Sequence, residues 1–298
     1  MNVNFIIDER WLINAINTIK NSSVEIDELS ELIDEINKKK SSSISYTDGI
    51  YEKECGGDIL CNLLFGELSR NPSFRDSILH ISTLLNQANS VSVELSDDNF
   101  DSDALKILNS LGYGALIYNQ DVTPPWWNQS SMHLVNQKTE IIKYYRIQSV
   151  SEMISFCELA EHLDELYPAL YFLAEAKDFS KLGVCHTTYF PLIIKHLSYL
   201  NDNAREHYLQ NKNTFSQVAS TFGVTLSGES SNTRGNQKAD RERYKKIEDV
   251  DIKFELHTKV CWDKGRIHFH IGNNLPAKVS AITQDKLIVG IVCEHLPT

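Results

Sequence analysis

Two short runs near the end of the chain alternate polar and apolar residues with a period of two. In the first, Lys253, Glu255, His257 and Lys259 alternate with Ile252, Phe254 and Leu256; in the second, Arg266, His268 and His270 alternate with Ile267, Phe269 and Ile271. That period places each polar set on one face of a strand. Asp263-Lys264-Gly265 between the runs has the composition of a hairpin turn. Same-face residues on paired strands have Cβ atoms about 4.5–5.5 Å apart, with diagonals near 7–8 Å. Glu255, His257, Lys259, Arg266, His268 and His270 are therefore expected in one patch: one carboxylate, three imidazoles and two cations. This set suits cleavage of a phosphodiester without a metal or other cofactor. His257 or Glu255 would take the proton from a ribose 2′-OH, His268 or His270 would protonate the leaving oxygen, and Lys259 and Arg266 would hold the phosphate. An internal 2′-OH nucleophile means RNA as the substrate.

Residue type leaves other readings of the same face open. Period-two charge is what any half-exposed strand presents, so the face can be plainly solvated. His257, His268, His270 and His295 with Glu255 could instead hold a metal, since i,i+2 spacing on a strand can chelate. Glu255-x-His257-x-Lys259 superficially matches nucleases that place Glu-x-Lys on a strand beside an upstream carboxylate such as Asp249 or Asp251, although here Glu and Lys are two positions too far apart.

Three weaker constellations lie elsewhere. Arg75 and His80 fit the R-x4-H spacing of HEPN ribonucleases, but i and i+5 on a helix lie about 140° apart; the plain alternative is a polar helix face. Thr214–Asn232 resembles a helix-turn-helix, with Ala219 four positions before Gly223, though its second segment is rich in Ser, Gly and Asn. The plain alternative is a helix that stops at Gly223. Trp126-Trp127 after Pro124-Pro125 reads as a packed loop anchor more readily than as a base-stacking corner.

The elements that must position these residues follow from periodicity. Ile26, Leu29, Leu32, Ile33 and Ile36 recur on one helical face, with Ser22 and Glu25 spaced as a capping box. Helices are predicted over Asp58–Ser69, Phe74–Gln87 (Ile78, Ile81, Leu84 and Leu85 inward), Asp101–Asn109, from Ser151 to His162, and in three pieces over 186–222. The first 40 residues read as helical, and Ser41–Ser45 as a loop. Val91–Leu95 and Ala115–Tyr118 read as strands, Asp121–Trp127 as a rigid turn, and residues 131–148 as one or two strands. The Ser/Asn/Gly-rich run 227–238 reads as a linker. After it come a charged helix over Ala239–Glu248, the two alternating runs, and a more continuously apolar strand over Lys286–Cys293.

Composition narrows the class. The chain has 298 residues, 42% of them hydrophobic, and a formal charge of −11. Residues 234–298 hold 12 of the 29 basic and 9 of the 40 acidic side chains, a charge of +3, which leaves −14 on residues 1–233. A nucleic-acid-coating protein would neutralise many phosphates at once and is not expected; a single anion-binding module is compatible with the split. No stretch approaches a spanning length of apolar residues, and Met1–Arg10 lacks a basic region followed by an apolar run, so no membrane segment or secretory signal is expected. The six cysteines form no CxxC pair, and neither GxGxxG nor GxxxxGK[ST] occurs. Reduced thiols in a cytoplasmic protein follow.

Residues 240–298, with helices ahead of a short antiparallel sheet and Lys, Arg, His and Glu on it, resemble the fold shared by RelE-type and barnase-type ribonuclease toxins. The resemblance implies metal-free acid–base work by Glu255, His257 and Lys259 on one strand and Arg266, His268 and His270 on its neighbour. It covers about a fifth of the chain and rests on element order and residue type. RelE-type toxins are small and strongly basic, whereas this tail is fused to a long acidic body. The runs His257-Thr-Lys259 and Arg266–His270, with the ending Val289–Thr298, also look like tails of uncharacterised proteins from bacterial defence and mobile-element islands. The expected architecture is an α+β chain: a mixed, helix-rich body over 1–226, a linker over 227–238, and a helix plus antiparallel sheet over 239–298. The expected function is a defence or toxin-type effector that cleaves RNA, its acidic body engaging a protein partner or a second copy. The alternative is a non-enzymatic subunit of a defence complex.

Overall fold

The computed structural model describes residues 3–39, 42–92, 102–111, 114–119, 132–229 and 234–296. It is an α+β protein with an antiparallel arrangement near the C-terminus, as the patterning implies. The turn at Asp121–Trp127, the Trp126-Trp127 pair and part of the Val91–Leu95 run lie outside the described residues. Two compact units divide between Gln148 and Ser149. The composition-based boundary at 227–238 is not where the chain separates, because Leu226-Ser227 is a strand of the C-terminal sheet.

The first unit is built on five parallel strands: β1 (Val3–Ile7), β2 (Ser42–Thr47), β3 (Asn89–Val91), β4 (Gly114–Ile117) and β5 (Met132–Val135), in the order β3-β2-β1-β4-β5. Parallel sheets of this kind bury both faces, so their central strands are continuously apolar. β1 reads Val-Asn-Phe-Ile-Ile and all four residues of β4 are buried. Alternate residues of β1 serve opposite faces. Ile6 packs with Ala104, Ile107 and Leu108 of α4 (Asp103–Leu111), while the Phe5 ring meets Tyr144 of α5 (Lys138–Ser151) at 5.4 Å between centroids. The remaining helices of this unit are α1 (Glu9–Thr18), α2 (Val24–Asn37) and α3 (Arg75–Gln87), with shorter turns over 60–70. The apolar faces read from the sequence for α2 and α3 are the buried ones.

Several expectations are corrected here. β1 and β2 lie where helix and loop were expected; strands of five and six residues are too short for a periodicity window to separate from their helical neighbours. Residues 138–148 are helix and not strand. Ser22 and Glu25 form no capping box, since Glu25 accepts a hydrogen bond from Asn14 Nδ2 instead.

The second unit carries α6 (Phe156–Leu166), β6 (Leu170–Phe172), α7 (His186–Tyr199), α8 (Arg205–Gln210), α9 (Phe215–Thr221), β7 (Leu226–Ser227), α10 (Gln237–Arg241), β8 (Tyr244–Ile247), β9 (Val250–Lys253), β10 (Leu256–Lys259), β11 (Arg266–His270), α11 (Ala277–Thr283) and β12 (Leu287–Cys293). α6 is capped by Ser155 with Glu158 in a complete capping box, and Ser151 ends the preceding helix instead of starting this one. The expected helix over Ala239–Glu248 is only α10; Tyr244–Ile247 pairs with Val250–Lys253 as a hairpin turning at Glu248-Asp249, with Glu248 at φ 55°. The main sheet runs β6-β12-β11-β10-β7, antiparallel except for the β6–β12 pair. β12 carries one extra residue, Gly290, against β11, and the Phe254 ring occupies the space a Cβ there would need. Phe254 joins Ile247, Ile252, Val279, Ile288 and Ile291 in the core beside this sheet.

Candidate functional site

The β10–β11 pairing sets His257 opposite His268 and Lys259 opposite Arg266. The two runs are adjacent antiparallel strands, as the alternation and the turn between them implied. The face is not a solvated one, however: His257 is 8% exposed, Arg266 6% and His268 2%. What covers them is the edge strand β7 and the residues after it. Ser227 pairs with His257 in the ladder, and Ser227, Gly228 and Glu229 line a pocket of roughly 160 Å³ together with Arg243, His257, Lys259, Arg266, His268 and His295.

The two imidazoles lie 4.7 Å apart between ring centroids. His257 Nε2 meets Ser227 Oγ at 2.9 Å, and His268 Nδ1 meets the Phe254 carbonyl at 3.2 Å, so His268 donates from Nδ1 and keeps a lone pair on Nε2. Each ring is thus oriented through one nitrogen, while His257 Nδ1 and His268 Nε2 have no hydrogen-bond partner among the described residues. Glu229 stands beside both rings, with Oε1 at 3.7 Å from His257 Nδ1 and 3.8 Å from His268 Nδ1. Arg243 is buried against it: Nε lies 3.1 Å from Glu229 Oε1, one terminal nitrogen donates to Oε2 and the other to the Ala239 carbonyl.

Burial is the main reason both histidines resist protonation. His257 falls to about 4 by desolvation first, with Lys259, Arg266 and Arg243 adding to it and the Glu255 backbone carbonyl opposing it. His268 falls to about 3, again chiefly by burial, with His257 next. Both imidazoles are neutral at pH 7. The pocket around them carries three cationic side chains against one carboxylate, a local field suited to an anion.

The six expected residues do not share one fate. His257, Lys259, Arg266 and His268 line this pocket. Glu255 and His270 line a different one with Tyr208 and Lys253. The pairing breaks between β9 and β10, and Glu255, in that break, is held by Lys253 at 2.8 Å and faces Arg234 at 3.6 Å. His270 Nδ1 accepts from the Gly272 amide. Arg266 is committed to its own turn, donating to the carbonyls of Cys261, Trp262 and Lys264 at 2.8–3.0 Å. It supplies charge to the pocket while its hydrogen bonds brace the hairpin.

Glu229, Arg243 and Ser227 were not anticipated. Ser227 and Glu229 sit in the stretch read as a linker, and Arg243 in the stretch read as a charged helix. Glu229 is the sole acid in the run 227–238, which is the one hint the sequence offers.

The other constellations resolve plainly. His80 pairs with Asp34 at 3.0 Å and Arg75 is exposed on the same helix. Gly223 follows the end of α9, and the next described element is the strand Leu226-Ser227, so the segment through Glu229 has no second helix; residues 230–232 lie outside the described residues. Asp249 and Asp251 are exposed on the β8–β9 hairpin, away from the pocket lining. No described helix is long and apolar enough to cross a membrane. No family model, curated protein or solved structure matches the chain.

Proposed function

We propose that the pocket between β7 and the β10–β11 pair binds a phosphodiester anion and that the protein is a metal-independent endoribonuclease of the toxin or defence-effector type. The observation that carries this reading is a pair of buried, oriented imidazoles, each with one ring nitrogen open, around one small cavity that three cations and the Arg243-paired Glu229 also line: His257 Nδ1 and His268 Nε2. Buried polar atoms in folded proteins are nearly always satisfied, and exceptions concentrate where a ligand completes them.

The chemistry differs in one respect from the expectation raised by residue type. An imidazole held neutral at pH 7 is a base and not an acid, so the resting site holds two bases. His257, whose Nδ1 is open, takes the proton from the 2′-OH. The oxygen then attacks phosphorus, forming a 2′,3′-cyclic phosphate as the bond to the 5′-oxygen breaks. Arg243 and Lys259 stabilise the charge that builds on phosphorus, and the proton passes from the imidazolium just formed to the departing oxygen by way of the neighbouring His268, whose Nε2 is open. A bound phosphodiester opposes the field of the three cations and eases protonation of His257 during the reaction. The cavity has room for about one phosphoryl group, so the bases of the RNA must be read outside it.

A second reading has its own support. Glu229, His257 and His268 each offer a ligand atom within 4.8 Å of the others, a spacing a transition-metal ion could bridge. The three surrounding cations weigh against it.

The test is cleavage of a labelled single-stranded RNA by the purified full chain with EDTA present. The expected result is cleavage that EDTA leaves untouched and that His257→Ala and His268→Ala remove, with the thermal transition retained. Cleavage abolished by EDTA would favour the metal. A wild-type protein that cuts no RNA, and variants that behave as wild type in cells, would leave a non-enzymatic role.

A further inference from the structure

Trp262 is 87% exposed, whereas the next most exposed large apolar side chain among the described residues, Val24, reaches 57%. It stands in the turn between β10 and β11, the two strands that carry His257, Lys259, Arg266 and His268. The backbone beneath the indole is held rigidly. Val260 N bonds to the Gly265 carbonyl and Cys261 N to that of Lys264, closing the turn. Gly265 N bonds to the Glu294 carbonyl, and at φ 73° Gly265 packs so closely that a Cβ would sit 3.0 Å from Val184 Cγ1. Cys261 Sγ meets Tyr189 Oη at 3.2 Å. The turn is also fastened to the pocket, since the Arg266 guanidinium that lines the pocket donates to the Trp262 carbonyl at 3.0 Å.

A turn that needs only its backbone held has no use for an indole in water. An aromatic ring borne on a rigid turn and bare to solvent is what single-strand nucleic-acid sites use, because any base can stack on it while cations track the backbone. Lys264 in the same turn, with Lys259 and Arg266 on the strands below, supplies those cations, and Lys259 and Arg266 line the pocket proposed for the phosphate.

We infer that Trp262 is a stacking platform for an unpaired base and that the substrate is single-stranded RNA, the base on the indole lying next to the phosphodiester in the pocket. The inference rests on the nuclease reading and adds its substrate class. It also supplies affinity that a charge of +3 on residues 234–298 cannot give alone.

The experiment measures binding of a fluorescein-labelled 2′-O-methyl RNA 12-mer, which cannot be cleaved through its 2′-oxygen, to the full chain and to Trp262→Ala and Trp262→Phe. Cleavage of unmodified RNA by the same proteins is followed in parallel. The expected result is a loss of affinity of about 5- to 100-fold in Trp262→Ala, with most affinity kept in Trp262→Phe. A duplex of the same sequence should compete poorly. Tryptophan emission should be quenched by the oligonucleotide in the wild type and less so in Trp262→Phe. If Trp262→Ala binds within about twofold of wild type while wild type cleaves RNA, the platform is wrong and the nuclease reading stands. If wild type neither binds nor cleaves, both fall. If Trp262→Ala keeps RNA binding but loses self-association in sedimentation, the indole is a protein contact and the inference is overturned.

Discussion

The two units each bury a cluster of charged side chains, and the clusters differ in how completely they are satisfied. In the first unit the carboxylate of Asp8, fully buried at the end of β1, accepts from the amide, Nε and a terminal nitrogen of Arg10 and from Ser102 Oγ. Its neighbour Glu9 accepts from the amides of Asp103 and Ala104 and so caps α4. These acids have donors enough, and their role is to fix α1 and α4 against the sheet. In the second unit Glu229 is held by Arg243, yet the buried His257 and His268 beside it each keep a ring nitrogen with no hydrogen-bond partner among the described residues. Buried polar groups left open cost about 1–3 kcal/mol each. Open buried nitrogens occur in the first unit as well, on His133 beside Glu140; what sets His257 and His268 apart is that theirs lie at a pocket lined by three cations, and that is the basis for placing the function in the second cluster.

The contrast can be broken most forcefully at the carboxylates. Asp8→Ala strips Arg10 and Ser102 of their acceptor and is expected to cost roughly 3–5 kcal/mol in urea unfolding, with no recovery on adding an anion. Glu229→Ala leaves Arg243 buried without its counter-charge and is expected to cost a similar amount. Here inorganic phosphate should restore part of the thermal stability by taking the carboxylate's place. Equal phosphate responses in the two variants would erase the distinction.

The next effect separates activity from stability. His268→Leu is expected to lower RNA cleavage at least about 100-fold while changing unfolding free energy by no more than about 1 kcal/mol, because the lost bond to Phe254 is offset by removal of an unpartnered nitrogen. A large stability loss together with the activity loss would mark His268 as structural.

A third effect depends on pH. His196 on α7 is buried outside the pocket and falls to about 4, by desolvation first and the charge of Lys195 second. The folded protein holds it neutral, whereas the unfolded chain protonates it near 6.5. Its contribution is therefore complete above pH 6.5 and is lost as the pH falls toward 4, roughly 3 kcal/mol in all. The wild type should lose about that much stability relative to His196→Leu as the pH falls across that window; parallel curves would contradict the assignment.

The smallest effects belong to residues the alternation had grouped with the site. Glu255→Gln and His270→Gln should leave cleavage within about threefold of wild type, since both line a separate pocket.

These outcomes bear on what the sequence could reveal. Period two at Lys253–Lys259 and Arg266–His270 was legible, and with it the shared face of His257, Lys259, Arg266 and His268; which residues stand opposite one another was not, because a shift by two keeps every side chain on its face. The coverage of that face was not legible. Ser227 and Glu229 lie in a stretch whose composition says linker, and only the pairing of Leu226-Ser227 with His257-Thr258 turns it into the wall of a pocket. Arg243 looked like part of a charged helix because the preceding Lys238, Arg241 and Glu242 are charged. Its burial follows from β8 and β9 folding back, which no local pattern marks. In the first unit the apolar faces of α2 and α3 were legible from spacing over several turns, whereas β1 and β2 were hidden by their shortness.

The most direct test of the central claim is the chemistry of the ends produced. Full-length protein is incubated in EDTA with a single-stranded RNA and with the same sequence as DNA, and the products are identified by mass. Cleavage of the RNA alone, leaving 2′,3′-cyclic phosphate and 5′-hydroxyl ends, and lost in His257→Ala, is the predicted result. Products with 3′-hydroxyl and 5′-phosphate ends, or equal cutting of the DNA, would contradict attack by the 2′-oxygen and with it the role assigned to this pocket.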